Sequence, residues 1–248
     1  ASIRAFEKQL TDDGMVIIKL FLKIDRKEQK KRFEKLLVSK DTAWRVSKGD
    51  LKRNHDFKEY KAINEEMLRK TDADYAPWTV INATKKKEAK VAVYQAVIQA
   101  MKEAVARKEL EEKGSLEKKT EMKRETAESI LAKTDLSKSM PKEVYEERLK
   151  ELQKKMEHLH GELYRRRIPV VLGFEGWDAG GKGGAIKRLT SHMDPRGYVV
   201  NPTASPSDTE KAHHYLWRFW RAMPKAGHIA IFDRTWYGRV MVERIEGF

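Results

Sequence analysis

The sequence of 248 residues contains no cysteine, which excludes disulfide bonds and metal sites built on thiolates. No apolar run reaches the length of a membrane-spanning helix, and the first residues lack the pattern of a signal peptide. We therefore expect a cytoplasmic protein that does not enter a membrane. Because the sequence begins at Ala1 and not at methionine, we also expect that it was trimmed or excerpted.

Acidic residues are outnumbered by basic ones. The chain has 52 Lys and Arg residues against 38 Asp and Glu residues, a formal net charge of +14 and a pI of about 9.7. Such a field attracts polyanions, and nucleic acid, anionic membrane and polyphosphate all qualify. A lysine-rich solvated surface would explain much of the same charge, so charge alone does not rank these partners.

The most informative stretch is a glycine loop between an apolar run and a helix-compatible segment. Residues 176–182 read Gly-Trp-Asp-Ala-Gly-Gly-Lys, which satisfies the G-x-x-x-x-G-K pattern. Glycines let backbone N–H groups curl around a phosphate, the helix N-terminus adds its positive dipole end, and Lys182 supplies a mobile cation. A turn that merely joins strand to helix is the alternative, and the combination of strand, spacing, lysine and helix argues against it.

Magnesium needs unusual ligands in this loop. Gly183 stands where most such loops place the Ser or Thr whose hydroxyl binds the metal. Asp233 ends an apolar strand downstream of the loop, which is the Walker B arrangement, and Asp178 inside the loop is the natural second carboxylate. Alone, each acid could be a helix cap or an Asx turn. Together beside Lys182 they predict a Mg²⁺ site formed by Asp178 and Asp233.

Three arginines lie at positions suited to binding phosphate oxygens. Arg234 directly follows Asp233, Arg239 comes five residues later, and Arg196 occupies a Pro-Arg-Gly turn. Solvation on a basic surface explains Arg196 equally well. Phosphoryl transfer needs mainly positioning and charge neutralisation. An acceptor that is itself a phosphate would be an anionic nucleophile already, so no general base is required.

Apolar runs alternate with helical patterns along the chain. We predict strands at residues 15–22, 76–82, 168–174, 198–201 and 228–233. Helices are predicted from the Asp25 cap to about residue 37, at 51–69, around 91–105, after Pro141, and after a Ser207–Glu210 capping box, with 39–50 irregular. This alternation predicts an α/β fold with a parallel sheet whose ligand site lies at the carboxyl ends of the strands.

Other patterns are attributed to structure. The Lys/Glu-rich stretch 106–140 is predicted to be a linker or a solvated helix. Apolar residues spaced by three and four after Pro141 predict a packing seam against the α/β core or a partner chain. The spacing of His158 and His160, and of His213 and His214, argues against a zinc site. Four aromatic residues could stack on a base, although core packing is favoured for them: Trp217, Trp220, Trp236 and Tyr237.

Several blocks resemble the second family of polyphosphate kinases. They are residues 174–188, 194–198, 210–220 and 232–239. Residues 1–105 resemble the half of that family that normally follows the last block and carries a helical lid. The resemblance implies a P-loop kinase-like parallel sheet flanked by helices, with its halves reversed: 1–105, a charged linker 106–140, and 141–248.

The reversed order has two interpretations: the chain would be either the middle of a tandem protein or one permuted domain with Phe248 near Ala1. Under the tandem interpretation the lid could come from an inactive copy, so Trp44, Arg45 and Lys52 are candidate site residues with the least support.

The resemblance also implies roles for individual residues. Asp178 and Asp233 position Mg²⁺ and the phosphates, Lys182 and the loop amides bind the transferred group, and Arg234 and Arg239 stabilise charge. Lys187, Arg188 and Arg196 contact polyphosphate or nucleotide phosphates more loosely. Gly180 stands where the family commonly has Ala, a departure we expect to be tolerated. The phosphate-binding glycines are Gly176, Gly180, Gly181, Gly183 and Gly184.

These patterns favour a polyphosphate-dependent nucleotide phosphotransferase that uses Mg²⁺ and converts AMP to ADP. The expected partners are inorganic polyphosphate and a nucleotide, AMP or ADP, with no membrane, no nucleic acid and possible self-association. Two alternatives remain open: an ATP-using P-loop kinase or ATPase, and a catalytically silent polyanion-binding fragment.

Overall fold

The architecture is an α/β sandwich around one parallel sheet. The computed structural model describes residues 2–43, 45–112, 131, 134–137 and 139–243. Within these residues five strands pair in the order β2-β1-β3-β5-β4, and every pairing is parallel. This confirms the predicted sheet and places the strand before the glycine loop at its centre. The strands are β1 (Val16–Lys23), β2 (Trp78–Asn82), β3 (Val170–Gly176), β4 (Tyr198–Pro202) and β5 (Ile229–Asp233).

Helices flank this sheet. The central strands β1 and β3 are buried along almost their whole length, which explains their continuous apolar runs, since both faces are covered. A 3₁₀ turn spans Pro195–Gly197 and a short π-helical turn spans Arg239–Glu243. The α-helices of the described residues are α1 (Ser2–Asp12), α2 (Arg26–Leu37), α3 (Lys40–Ala43), α4 (Lys48–His55), α5 (Phe57–Thr71), α6 (Lys86–Glu112), α7 (Lys142–Arg165), α8 (Lys182–Thr190), α9 (Asp208–Lys211) and α10 (Trp217–Trp220). No helix among the described residues combines the length and the apolar composition that crossing a membrane requires.

The predicted helix starts are confirmed. The Asp25 side chain accepts a hydrogen bond from the Glu28 N–H at 2.7 Å at the start of α2. Ser207 and Glu210 form the reciprocal bonds of a capping box at the start of α9. Each cap satisfies backbone donors that a helix start would otherwise leave unpaired.

Four predictions of secondary structure were wrong. Residues 39–50 are not irregular, because α3 lies there and Ser47 and Asp50 form a second capping box that starts α4. The single helix predicted at 51–69 is two helices that meet at Asp56, and the helix expected after Ser207 is the two short helices α9 and α10. Helix α1 was missed, although its buried Ile3, Phe6 and Leu10 have helical spacing.

The predicted seam on α7 is confirmed as part of this chain's own core. Helix α7 packs against α6, which also contacts β1, β2 and α8. Residues 106–112 of the predicted linker continue α6, and most of the rest lies outside the described residues, as do Ala1, Trp44 and Phe248. Leu149 is half-buried, and the buried seam residues are Tyr145, Leu152, Met156, Leu159 and Leu163.

The two segments named from the sequence share this sheet. Strands β1 and β2 come from residues 1–105, and β3, β4 and β5 come from residues 141–248. Their junction is the pairing of β1 with β3, which runs in register from Val16 opposite Val170 to Leu22 opposite Gly176. Both segments therefore contribute to the sheet edge that carries the glycine loop.

A buried ion pair of the first segment also binds side chains of the second. Lys19 on β1 and Glu7 on α1 are almost fully buried, and their Nζ and Oε2 atoms lie 3.0 Å apart. Lys19 also donates to the Thr71 carbonyl at 2.7 Å, and burial lowers its pKa while Glu7 opposes that shift. The Tyr237 hydroxyl and, at 3.1 Å, the Trp236 indole N–H donate to Glu7. The network thus fixes the segment after β5 to α1, β1 and α5.

We predict that Lys19→Met destabilises the protein by about 3–5 kcal/mol, because Glu7 is then left buried without its cation. Adding Glu7→Gln should recover part of this loss, since the amide oxygen still accepts from Trp236 and Tyr237. Urea unfolding curves measure both changes in the free energy of unfolding.

The exposed pair Lys8–Asp12 on the same helix offers a matched control. Lys8→Ala should change the free energy of unfolding by less than about 1 kcal/mol. A Lys19→Met effect as small as that of Lys8→Ala would contradict the importance of the buried network.

Candidate active site

The glycine loop leaves the central strand β3 and enters α8 in a conformation that only glycine adopts readily. Gly176 has a φ of +131°, and a Cβ atom there would overlap the backbone of Leu22. Gly181 has a φ of +104° and is the N-cap of α8, where glycine offers no side-chain acceptor. The first N–H groups of the helix, which have no intrahelical acceptor, remain available to a ligand. The loop therefore presents backbone donors and a positive helix end to one point, which suits a phosphate group.

Space around the other loop glycines differs from one position to the next. A Cβ atom at Gly180 would lie 2.7 Å from the Trp177 carbonyl oxygen, whereas Gly183 and Gly184 have nothing within 4 Å of such an atom. Glycine at position 180 therefore suits this tight turn. At position 183 there is room for a Ser or Thr side chain, so lack of space does not explain the absence of a hydroxyl there.

Lys182 curls over the loop. Its side chain is buried, and its Nζ donates to the carbonyl oxygens of Gly176 at 2.9 Å and Trp177 at 3.1 Å. The ammonium group therefore lies at the cradle formed by the loop, where a bound phosphoryl group would find it.

Asp178 is surrounded by cations. Its carboxylate accepts from Arg234 at 2.7 Å and from Arg53 on α4 at 3.2 Å. Burial alone would raise the pKa of Asp178, but Lys182, Arg234 and Arg53 outweigh it and hold the pKa below its ordinary value. The carboxylate is consequently ionised at neutral pH, which a metal ligand requires.

Asp233 closes β5 and shares a cleft with Asp178 and Lys182. This cleft, which we call the loop cleft, has a volume of about 700 Å³. Its carboxylates are the hard oxygen ligands that Mg²⁺ prefers, and this ion commonly takes one or two of them together with water and phosphate oxygens. No group of three or more His, Asp or Glu side chains in the described part of the chain could hold a metal. The residues therefore fit Mg²⁺ shared with a phosphorylated ligand and do not form a closed metal cage.

Arg234 lines two clefts. It borders the loop cleft and also a second cleft of about 810 Å³, which we call the histidine cleft because His213 and His214 line it. Arg239 and Arg53 line the histidine cleft as well. The predicted residues Asp178, Lys182, Asp233, Arg234 and Arg239 thus each line one or both of these clefts.

The structure does not bring the three outer cations to these clefts. Lys187 and Arg188 lie on α8 and Arg196 on the 3₁₀ turn, and none of them lines either cleft. Arg196 forms an ion pair with Asp194 at 2.6 Å, and this pair lowers the pKa of Asp194. Contacts of these three residues with a longer phosphate chain stay a prediction.

Sequence reasoning missed three residues of the first segment, 1–105, that contact the loop. Gln29 on α2 donates to the Asp178 carbonyl at 3.1 Å, and Arg32 donates to the Ala179 carbonyl at 2.8 Å. Arg53, three residues after Asp50 on α4, reaches Asp178 itself. Of the candidates named in this segment from the sequence, Arg45 lines the loop cleft, whereas Lys52 is exposed and lines neither cleft. The three-residue spacing of Gln29 and Arg32 shows that they share a helix face, but not that this face meets the loop.

Glu175 was also missed, although it directly precedes the loop. Its Oε1 accepts from the Thr235 N–H at 2.6 Å and from the Thr235 hydroxyl at 2.9 Å. Burial raises the pKa of Glu175 to about 7, although the Thr235 hydrogen bonds and Lys182 oppose this shift. An acid one residue before the end of a buried strand has the same local pattern whether it is a structural partner or a metal ligand.

The aromatic prediction is half right. Trp236 and Tyr237 are buried in the core as favoured. Trp217 is only half-buried and stacks on His213 with ring centroids 4.0 Å apart, and Trp220 is 46% exposed, because α10 is a short surface helix. His213 and His214 are exposed along a cleft and are not core residues.

We predict that Gly176→Ala destabilises the protein by at least about 3 kcal/mol, because the positive φ and the Leu22 backbone both exclude a side chain. Gly183→Ala, in open space on α8, should stay within about 1 kcal/mol of wild type. Thermal unfolding compares the two variants, and equal effects would contradict the described loop geometry.

Stability should also depend on the protonation of Glu175. Its pKa is raised from 4.5 to about 7, so its contribution to stability is complete below pH 4.5 and is lost as the pH rises through 7. At 1.36 kcal/mol per pKa unit the loss is about 3 kcal/mol. Glu175→Gln should remove this dependence, and Glu157→Gln, on the exposed face of α7, should retain it. Urea unfolding at pH 4.5 and pH 7.5 tests this, and parallel pH profiles for wild type and Glu175→Gln would refute it.

Comparison with known proteins matches both segments of the chain. The family model described as "Polyphosphate kinase 2 (PPK2)" matches residues 1–109 and 139–248. A polyphosphate:AMP phosphotransferase of Pseudomonas aeruginosa is 35% identical over 251 residues, which cover 98% of this chain and 49% of that protein. The protein of the same name from Pseudomonas syringae pv. tomato is 37% identical over 245 residues, covering 98% and 48%. That from Acinetobacter johnsonii is 33% identical over 250 residues, covering 100% and 48%.

The chain thus spans about half the length of the curated relatives it matches. The matched stretches nevertheless contain all five strands, the glycine loop and the turn after β5. On this basis the chain belongs to the polyphosphate kinase 2 family.

Proposed function

We propose that the chain acts in polyphosphate-dependent nucleotide phosphotransfer, in which a phosphoryl group passes from inorganic polyphosphate to AMP. The observation that carries this proposal is that two clefts share Arg234 in their walls, one of them lined by the glycine loop. Transfer between two phosphorylated molecules needs two binding spaces that open onto one cation-rich point. The relatives named polyphosphate:AMP phosphotransferase support AMP as the acceptor.

The charge of the loop cleft supports a long anionic ligand. The pKa of Lys86 is lowered by burial and by the neighbouring Arg32 and Lys35, which indicates a concentration of positive charge. A polyphosphate chain would neutralise several of these cations at once. The cations that line the cleft are Arg32, Lys35, Arg45, Lys86, Lys182 and Arg234.

The reaction can be written with the residues in place. The bond between the terminal phosphorus and its bridging oxygen in polyphosphate breaks, and a phosphate oxygen of AMP forms the new bond, giving ADP and a polyphosphate one unit shorter. Lys182 and the loop amides hold the transferred group, and Arg234 and Arg239 stabilise the spread charge. Asp178 and Asp233 would hold Mg²⁺, which supplies neutralisation of phosphate charge when bound. The AMP phosphate is already anionic, so no side chain needs to remove a proton.

Two other functions are outcomes of the same test. An ATP-using kinase or ATPase would consume ATP without polyphosphate, and Gly183 argues against it because the usual metal-binding hydroxyl is absent. A silent polyanion-binding fragment would bind polyphosphate in a salt-dependent way without turnover. The chain covers about half the length of the Pseudomonas aeruginosa relative, so binding of polyphosphate without turnover is measured as well.

The test is to incubate the chain with long-chain polyphosphate, MgCl₂ and AMP, and to follow ADP by chromatography. ADP that requires polyphosphate supports the proposal. Consumption of ATP alone supports the kinase alternative, and folded chain that binds polyphosphate without forming ADP supports the silent fragment. Either of these last two results would overturn the proposal.

We predict that Lys182→Ala and Asp233→Asn each lower kcat by at least about 100-fold, because each removes a charge from the point of transfer. Lys155→Ala and Asp208→Asn are matched controls at exposed positions and should stay within about twofold of wild type. Initial rates of ADP formation measure the effect. Activity that survives either site variant would exclude the assigned role of that residue.

We also propose that residues 1–105 and 141–248 are the two halves of one kinase-like domain, connected by residues 106–140. If the halves act together in this chain, Arg53→Ala should impair phosphotransfer, because Arg53 contacts Asp178. In the tandem arrangement a reading frame upstream of Ala1 should encode another glycine-loop half. Full activity of Arg53→Ala together with such an upstream half would assign the two segments to different domains.

A further inference from the structure

The turn after β5 holds an unusual backbone conformation at the point of proposed chemistry. Arg234 has a φ of +68°, which non-glycine residues adopt rarely and at a cost. Its side chain borders both clefts and bonds Asp178, so the direction of this turn decides where the guanidinium points. Such a conformation persists only when its surroundings hold it in place.

Consecutive backbone groups of the turn are each held by a neighbour. The Asp233 carbonyl accepts from the Thr203 N–H at 3.0 Å, and the Arg234 N–H donates to the Phe174 carbonyl at 3.1 Å. The Arg234 carbonyl accepts from the Thr203 hydroxyl at 2.7 Å. The next group, the Thr235 N–H, donates to the side chain of Glu175.

Glu175 is suited to this position because two donors converge on one of its oxygens. The Thr235 N–H and hydroxyl lie 2.6 and 2.9 Å from Oε1, and both residues are buried. The Thr235 hydroxyl oxygen in turn accepts from the Tyr237 N–H at 3.3 Å. One carboxylate oxygen on β3 therefore holds both donors of Thr235, the second residue after β5.

Glu175 itself lies outside both clefts, since it lines neither of them. It also belongs to the strand that leads into the glycine loop. It can therefore connect the geometry of the loop with that of the Asp233–Arg234 turn without touching a ligand.

We propose that Glu175 is a positioning residue: through its hydrogen bonds to Thr235 it holds the turn that directs Asp233 and Arg234 toward the glycine loop. The kinetic consequence rests on the proposed phosphotransfer. The structural consequence, an ordered turn after β5, does not depend on that function.

The kinetic experiment compares Glu175→Ala with Glu175→Gln, and Thr235→Val with Thr235→Ser. Glu175→Ala removes the acceptor and should lower kcat about 100-fold, with the KM for polyphosphate within twofold, since a misplacement of about 1 Å is enough for such a loss. Glu175→Gln keeps an acceptor oxygen and should recover kcat to within about fivefold of wild type.

Thr235→Val should lower kcat about tenfold, and Thr235→Ser should restore it. The controls are Glu157→Gln and Thr11→Val, which lie away from the clefts.

Rates are expressed per folded molecule, with the folded fraction taken from urea unfolding, so a loss of stability alone does not imitate the effect. Hydrogen–deuterium exchange of residues 229–239 gives a readout without turnover. Glu175→Ala should increase exchange in this segment at least tenfold, while exchange in β1 stays unchanged.

The outcomes separate the two proposals. Unchanged exchange in residues 229–239 of Glu175→Ala, or a kcat per folded molecule within twofold of wild type, overturns the positioning role. If the wild-type chain forms no ADP, the proposed function fails, and the exchange measurement still decides whether Glu175 orders the turn.

Discussion

The pairing of β3 with β1 on one side and β5 on the other is the constraint on which the site depends. Parallel strands end at the same edge of a sheet, so the residues after β1, β3 and β5 meet there. The backbone of Leu22 approaches Gly176 so closely that only glycine fits, and the Phe174 carbonyl accepts from the Arg234 N–H. The glycine loop and the Asp233 turn are therefore adjacent because of strand register, before any side chain contributes.

Two carboxyl groups three residues apart, at the same edge of the sheet, have different environments and different roles. Asp178 faces Lys182, Arg234 and Arg53, which hold its pKa low. Glu175 is buried with Thr235 as its partner, and its pKa rises to about 7. Neighbouring cations thus keep one acid ionised, whereas burial raises the pKa of the other, which accepts the N–H and the hydroxyl of Thr235. This separation depends on which side chains the neighbouring strands and α4 bring near each acid.

The two segments of the chain are linked by polar contacts as well as by the sheet. The buried Lys19–Glu7 pair receives the side chains of Trp236 and Tyr237, which follow the Arg234 turn directly. Helix α2 reaches the loop backbone through Gln29 and Arg32. A buried ion pair of this kind contributes little net stability, but the loss of one partner is costly, so it specifies how the segments fit together.

Sequence alone determined the features that depend on neighbouring residues. The G-x-x-x-x-G-K spacing, the acid that ends an apolar strand, and the caps at Asp25 and Ser207 are local patterns, because backbone geometry over a few residues decides them. The family resemblance and the parallel α/β class followed from the same patterns. Only the tertiary structure decided that Gln29, Arg32 and Arg53 meet the loop. It also decided that Glu175 meets Thr235 and that Lys187, Arg188 and Arg196 lie away from the two clefts. The physical reason is that a charged residue has the same local pattern on a solvated face as on a face that packs against a distant loop, and long-range strand pairing determines which of the two it is.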